Sequence, residues 1–157
     1  MNDKYNTIND KIKIFEEFCK AKGLKVTYQR LEIFNILANS YDHPSAEDIY
    51  KKVKPKIPTI SFDTVYRTLA LFDSYGLIAK VQYLDDKTRY DPNMKPHHHL
   101  VCIKCKKIQD FYWPDIEEME IPEETKGWGL IKNRYLELRG ICQECLDKEK
   151  KNQKTKL

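Results

Sequence analysis

Two Cys-x-x-Cys pairs, Cys102-Ile103-Lys104-Cys105 and Cys142-Gln143-Glu144-Cys145, take four of the chain's five cysteines and constrain its fold more than any other feature. One such pair can be a redox motif. Two pairs bring four thiolates together, and tetrahedral Zn²⁺ satisfies four thiolates without redox chemistry. The pairs are separated by 36 residues, more than in a compact zinc finger, so a folded element has to return the second pair to the first. Every histidine lies upstream of the first pair: His97, His98 and His99 directly before it, and His43 far away. A tetrathiolate site uses none of them. Imidazole with nearby carboxylate suits Fe²⁺, Mn²⁺ or Zn²⁺, so two ion sites are expected, one structural and one regulatory or catalytic.

At 157 residues with 41% apolar content, the chain is one domain of ordinary size or two small ones with a real core. A charged fraction of 33% and a mean hydropathy of -0.70 describe a soluble protein. No apolar run approaches the roughly 20 residues that span a bilayer, and Met1-Asn2-Asp3-Lys4 opens no signal peptide. A cytoplasmic location is expected, where both Cys pairs are reduced and zinc ligation is favoured over disulfides. The net charge of +4 is spread evenly, with 15 Lys and Arg against 13 Asp and Glu in residues 1–91 and 13 against 11 beyond. Bulk charge identifies no binding face, so any case for DNA rests on a motif.

In residues 8–22, Ile8, Ile12, Phe15 and Cys19 form one apolar helical stripe, stopped by Gly23. The stripe makes Cys19 a small buried hydrophobe rather than a ligand. Thr27 reads as the N-cap of a second helix with Leu31, Phe34, Leu37 and Ala38 inward. Ser45 caps a third, with Glu47 and Asp48 in its first turn and Ile49 and Val53 buried. Prolines at 55 and 58 interrupt regular helix, and Ser61 opens a fourth, which Gly76 closes. On that helix Val65, Leu69 and Phe72 face inward, Asp63, Arg67, Ala70 and Ser74 point away, and Thr64 and Tyr66 lie on the flanks. Residues 78–84 and 87–91 read as two strands around a turn at Asp85-Asp86. Short helices followed by a β-hairpin describe a winged helix-turn-helix over residues 1–91, with helix 61–75 in the recognition position. Arg67, beside the hydroxyls of Thr64 and Tyr66, suits base edges and phosphates in a major groove, although an outward arginine is more often a solvated surface residue.

Residues 92–96, with Pro92 and Pro96, read as a hinge. A small α/β domain follows over 97–147: strands at His99–Ile103 and Ile108–Tyr112 flank the first Cys pair, a short helix starts near Asp115 and is interrupted by Pro122, and Leu130–Ile141 is a strand delivering the second pair. In that strand Leu136 and Leu138 alternate against Glu137 and Arg139. Residues 148–157 carry five lysines and read as a frayed tail. The fold class expected is therefore α+β.

Together, Thr27-Tyr28-Gln29-Arg30, the segment His43 to Tyr50, Thr64-Val65-Tyr66-Arg67, Arg89-Tyr90-Asp91, the block His97 to Cys105 and Gly140 to Cys145 resemble the ferric uptake regulator (Fur) family over nearly the whole chain. The resemblance implies a bacterial metal-dependent repressor, not an enzyme. Its winged helix would bind a double-stranded DNA operator with inverted-repeat symmetry, and its α/β domain would form a homodimer stapled by zinc. Position by position, Cys102, Cys105, Cys142 and Cys145 fall on the structural zinc ligands. His43, Asp91, His97, His99 and Asp110 fall on the regulatory site for Fe²⁺ or Mn²⁺. Iron-uptake members usually carry glutamates at the two carboxylate positions and peroxide-sensing members carry aspartates. Asp91 and Asp110 therefore resemble the peroxide-responsive branch, in which His43 and His97 would be the ligands oxidised by peroxide.

Each of these residues has a plainer role open to it. Asp91 beside Pro92 suits a turn, Asp110 suits an exposed strand position, and His43-Pro44 suits the start of a helix. His98 would point opposite to its neighbours on a strand, either into solvent or behind the ligands. Some family members hold a third ion with a histidine on the last strand; Arg134 stands at that position here, so no third site is expected. The alternatives are an iron- or zinc-uptake regulator sensing metal concentration alone and, from another class, a rubredoxin-like electron carrier, which has no need of the winged helix. The His-x-Glu of zinc deaminases is missing from the histidine block.

Overall fold

Three hydroxyl side chains start three consecutive helices. Each caps from an extended backbone and accepts the amide three residues on: Thr27 Oγ1 from Arg30 at 3.3 Å, Ser45 Oγ from Asp48 at 3.3 Å and Ser61 Oγ from Thr64 at 3.1 Å. At Ser45 the bond is reciprocal, because the Asp48 carboxylate accepts from the Ser45 amide at 3.0 Å, closing a capping box.

The computed structural model describes residues 8–82, 87–93, 95–131 and 134–154, and within it the chain divides into two compact units, Met1–Met94 and Lys95–Leu157. The side chain of Ile8, the turn at Asp85-Asp86, Met94 of the expected hinge and the last three residues of the expected tail lie outside the described set.

The first unit contains α1 (Ile8–Ala21), α2 (Tyr28–Ala38), α3 (Ala46–Val53) and α4 (Phe62–Ser74), followed by an antiparallel wing of β1 (Ala79–Gln82) and β2 (Thr88–Asp91). This is a winged helix. Each wing strand starts one residue later than the alternation suggested, since Ile78 is buried ahead of β1 and serves the core rather than the ladder; the expected end of the first strand, Tyr83-Leu84, lies outside the described residues. Phe15, Phe34 and Phe72 meet at the centre, the first two stacked at 4.6 Å and Phe72 edge-on to both, so α1, α2 and α4 share one aromatic contact. Cys19 is fully buried beside them, as its place on the stripe predicts, and Ile33 is buried where the α2 pattern passed over it. Gly76 ends α4 at φ +74°, a conformation that a side chain disfavours.

The second unit is a three-stranded sheet in the order β4-β3-β5, with β3 at His98–Cys102, β4 at Ile108–Phe111 and β5 at Glu137–Gly140. β3 runs antiparallel to β4 and parallel to β5. Of the expected strand at 130–141, whose Lys132-Asn133 lie outside the described residues, only Glu137–Gly140 is strand among those described, since backbone counts as strand only where a partner meets it. Upstream, the Arg134 guanidinium donates to the carbonyls of Glu117 and Met119 at the end of α5 (Pro114–Glu118), and Leu130 is 80% exposed. The alternation is not kept either: Leu136 and Glu137 are both partly buried, while Leu138 is 43% exposed and Arg139, paired with Glu137, is exposed as well. α5 stops before Pro122, which introduces a single 3-10 turn at Glu123–Thr125.

The lysine-rich end corrects a second expectation. It is not frayed through the described residues, because α6 runs from Gln143 to Lys154. Lys, Glu and Gln have high helix propensity, the Gln143 side chain donates to Asp147 one turn on, and Lys104 pairs with Glu149 from across the unit.

Candidate metal centres

The parallel pairing of β3 with β5 returns the second Cys pair to the first. Cys102 ends β3 opposite Gly140 of β5, and the Ile103 amide donates to the Gly140 carbonyl at 2.8 Å, so Cys142 arrives two residues later beside the Cys102–Cys105 turn. That turn is closed by Lys106, whose φ of +63° is uncommon for a residue with a side chain. α6 then starts at Gln143 and carries Cys145 on its first turn.

All four sulfurs lie within 4.8 Å of one another, with Cys102–Cys145 at 3.9 Å and Cys105–Cys142 at 3.7 Å. A zinc ion about 2.3 Å from each of four sulfurs would set them about 3.8 Å apart, whereas a disulfide needs about 2.05 Å. The spacing fits a tetrahedral ion. The Cys102 thiol is held down at about 6, first by the Cys142 amide, which donates to its sulfur at 3.4 Å, and then by the Cys105 amide. Burial, with the neighbouring sulfurs, pushes the Cys145 thiol up to about 12. Lys107, bonded to Glu144 at 2.7 Å and facing Cys142 and Cys105, places a cation beside the thiolates.

The same unit positions His97, His99 and Asp110. His97 and His99 are two apart on extended chain and so share a face, and His99 is in register with Asp110 of β4. Asp110 Oδ1 lies 3.8 Å from His97 Nε2 and 3.6 Å from His99 Nε2. His97 Nδ1 meets the Lys95 carbonyl at 2.7 Å, and since a carbonyl only accepts, that nitrogen carries the hydrogen and Nε2 presents its lone pair. The two Nε2 atoms are 2.9 Å apart. Two nitrogens bound about 2.1 Å from one ion at a right angle would stand about 3.0 Å apart, so this donor set also fits a metal.

In the first unit His43 and Asp91 pair at 3.5 Å between Nε2 and Oδ2, each side chain only 3% exposed. Asp91 Oδ1 also accepts from the Asn93 amide at 2.7 Å, which fixes the carboxylate plane. His43 adopts φ +47°. The plainer roles are filled too, since the Asp91–Asn93 bond is a turn contact and His43-Pro44 leads into the α3 cap, but both side chains are buried.

His98 contradicts the solvent-facing option. It is 1% exposed, its Nδ1 accepts from the Leu136 amide at 3.1 Å, and its Nε2 points to the Trp113 carbonyl and to Glu117. Strand parity sends it to the opposite face from His97 and His99, and that face is covered. On α4, Arg67 is 79% exposed and pairs with Asp63 at 3.7 Å, Tyr66 is half exposed, and the Thr64 hydroxyl is engaged with Ser61 at 2.8 Å. Sequence reasoning gave Arg89 no role beyond its place in the segment Arg89-Tyr90-Asp91, yet it donates to the His43 carbonyl at 3.3 Å. No helix among the described residues is long and apolar enough to cross a membrane.

The model of the ferric uptake regulator family matches residues 21–138. The chain belongs to that family. As a Fur-family protein it is 40% identical over 134 residues to the peroxide operon regulator of Bacillus subtilis, spanning 85% of this chain and 92% of that one. The structure of the Helicobacter pylori ferric uptake regulator, described as having three functional metal-binding sites, superposes with a TM-score of 0.71 at 26% identity, covering 92% of this chain and 97% of that one. The peroxide-sensing PerR of Streptococcus pyogenes superposes at 0.51 with 29% identity over 86% and 92%.

Proposed function

We propose that this Fur-family chain is a metal-dependent transcriptional repressor that senses hydrogen peroxide. The observation that carries the reading is the pairing of buried imidazole with aspartate at two places, His43 with Asp91 and His97 and His99 with Asp110. The 40% identity to a peroxide operon regulator supports it. Cys102, Cys105, Cys142 and Cys145 hold a structural Zn²⁺. His43, Asp91, His97, His99 and Asp110 together hold one regulatory Fe²⁺ or Mn²⁺, so ligands contributed by both units share an ion across the hinge at residues 92–96. The protein acts as a cytoplasmic homodimer on an inverted-repeat operator, whose symmetry matches its own. Arg67, Tyr66 and Thr64 of α4 face the DNA. No catalytic turnover is involved.

When bound, iron would relay two electrons from the imidazole to peroxide with no net change in its own oxidation state. The chain's own part is to place imidazole carbon within reach. One ring C–H of His43 or His97 takes up an oxygen atom, the second peroxide oxygen leaves as water, and the resulting 2-oxo ring is a poorer donor. Loss of that donor uncouples the two ligand sets and releases the operator. Operator binding titrated with Fe²⁺ and with Mn²⁺, each with and without peroxide, tests this, together with mass spectrometry of the products. A gain of one oxygen on peptides holding His43 or His97, with iron only, is expected. Persisting DNA binding with neither peptide gaining mass would instead make the chain a regulator of metal uptake.

A further inference from the structure

His43 is held in a left-handed backbone conformation that surrounding contacts must over-determine. Those contacts come from the wing. Arg89 Nη1 donates to the His43 carbonyl, the Tyr90 amide donates to the Pro44 carbonyl at 3.1 Å, Ser45 pairs with Arg89 in an isolated antiparallel bridge, and Lys87 meets Glu47 at 3.4 Å. The next residue on the wing is Asp91, whose carboxylate faces His43 Nε2. The Arg89 charge also acts on the Asp48 carboxylate, which closes the capping box of α3. α3 in turn packs on the DNA-facing helix: Ile49 and Val53 share a core with Val65 and Leu69, and Tyr50 meets Phe62 edge-on at 5.7 Å.

We infer that Arg89 is a positioning residue for the His43–Asp91 pair: by holding the His43 carbonyl it keeps the imidazole turned to Asp91, and through Ser45 and Asp48 it transmits metal occupancy to the first turn of α3. This rests on the proposal that His43 and Asp91 ligate the regulatory ion. An ion held by both residues fixes the two ends of a cross-link whose middle rung is Arg89. Binding therefore stiffens the start of α3 and, through the shared core, the placement of α4.

The test uses the full-length zinc-loaded protein, titrated with Mn²⁺ in wild type, Arg89→Ala and Arg89→Met. Affinity is read together with amide hydrogen exchange over residues 45–48 and thermal unfolding without Mn²⁺. Both variants should bind Mn²⁺ about 10- to 100-fold more weakly, the usual consequence of removing an outer hydrogen-bond partner of a metal ligand. The slowing of exchange at residues 45–48 that Mn²⁺ produces in wild type should vanish in them. Arg89→Met keeps the length of the side chain without its donors, and it decides the matter if the alanine variant does not fold. Mn²⁺ affinity within twofold of wild type, with or without a lowered melting temperature, would make Arg89 merely structural and overturn the inference. A wild-type protein that binds no Mn²⁺ would remove the ligand assignment itself, and the inference with it.

Discussion

The four-cysteine cluster and the imidazole–aspartate sets solve different problems with different construction. The cysteines all belong to one unit, on two tight turns brought side by side by the β3–β5 pairing, and their sulfurs lie within 4.8 Å of one another, two pairs of them at the edge length of a tetrahedron about zinc. The imidazoles and aspartates are distributed over both units, and three of the donors have supports of different kinds: a carbonyl for His97, an amide for Asp91, an arginine for the His43 backbone. A site that closes one small sheet suits an ion that stays. On the proposal that one ion takes both sets, its arrival and loss would be felt, because its binding energy would be shared between them.

The strongest way to break that contrast is to remove one sulfur. The second unit has few fully buried apolar residues among those described, Val101 and Ile108 with Cys102, so zinc supplies stability that packing does not. Structural zinc contributes about 10–16 kcal/mol in small domains whose folding is coupled to it. Cys102→Ser or Cys142→Ser should therefore lose zinc by elemental analysis, together with the cooperative unfolding of this unit and the dimer. Full zinc stoichiometry in either variant would remove tetrathiolate ligation.

The first unit should behave in the opposite way, since an aromatic and aliphatic core holds it. Phe72→Ala leaves a cavity against Phe15 and Phe34 and should cost about 3–5 kcal/mol, with the zinc content unchanged. Calorimetry with parallel metal analysis checks both halves of this expectation. If zinc is lost with Phe72, the two units do not draw on separate sources of stability.

How much of this was legible in the sequence follows the same division. Cysteine spacing, caps at Thr27, Ser45 and Ser61, and the α4 stripe are local signals, and the structure carries all of them. Asp91 and Asp110 were reached as ligands only through family resemblance, because a lone carboxylate has no spacing of its own. Strand parity separated His98 from its neighbours but could not say that Trp113 and the Leu136 amide cover it. The length of β5 depended on its partner strand, the tie of α6 to the first Cys turn on Lys104, and the place of Arg89 on contacts spanning more than 40 positions. None of these is written locally.

Arg67→Ala asks whether the exposed face of α4 does what its burial pattern implies. Operator affinity should fall by about 1–3 kcal/mol if the guanidinium reads a guanine, and by less if it meets phosphate, with the salt slope separating the two. Metal content and melting temperature should not change, because the side chain is 79% exposed and its pair with Asp63 lies on the surface. Unchanged affinity across a salt series would place the recognition surface elsewhere.

The smallest expected effect tests the link between the helices and the ligands. Ser45→Ala removes the hydroxyl that caps α3 and should cost about 1 kcal/mol at neutral pH. Burial alone would raise the Asp48 carboxyl, but the hydroxyl and amide of Ser45, with Arg89 behind them, lower it on balance from its ordinary 3.8. A carboxyl held down in the folded state contributes stability that is present above its unfolded value and is lost as pH falls through the folded one. The deficit of Ser45→Ala should accordingly be full above pH of about 4 and shrink under more acid conditions, where wild type also loses the Asp48 acceptor. Denaturant unfolding of both proteins across that range measures it. A deficit independent of pH would mean that Ser45 caps α3 without its partner, and the start of α3 would then carry no charge-dependent tie to the wing.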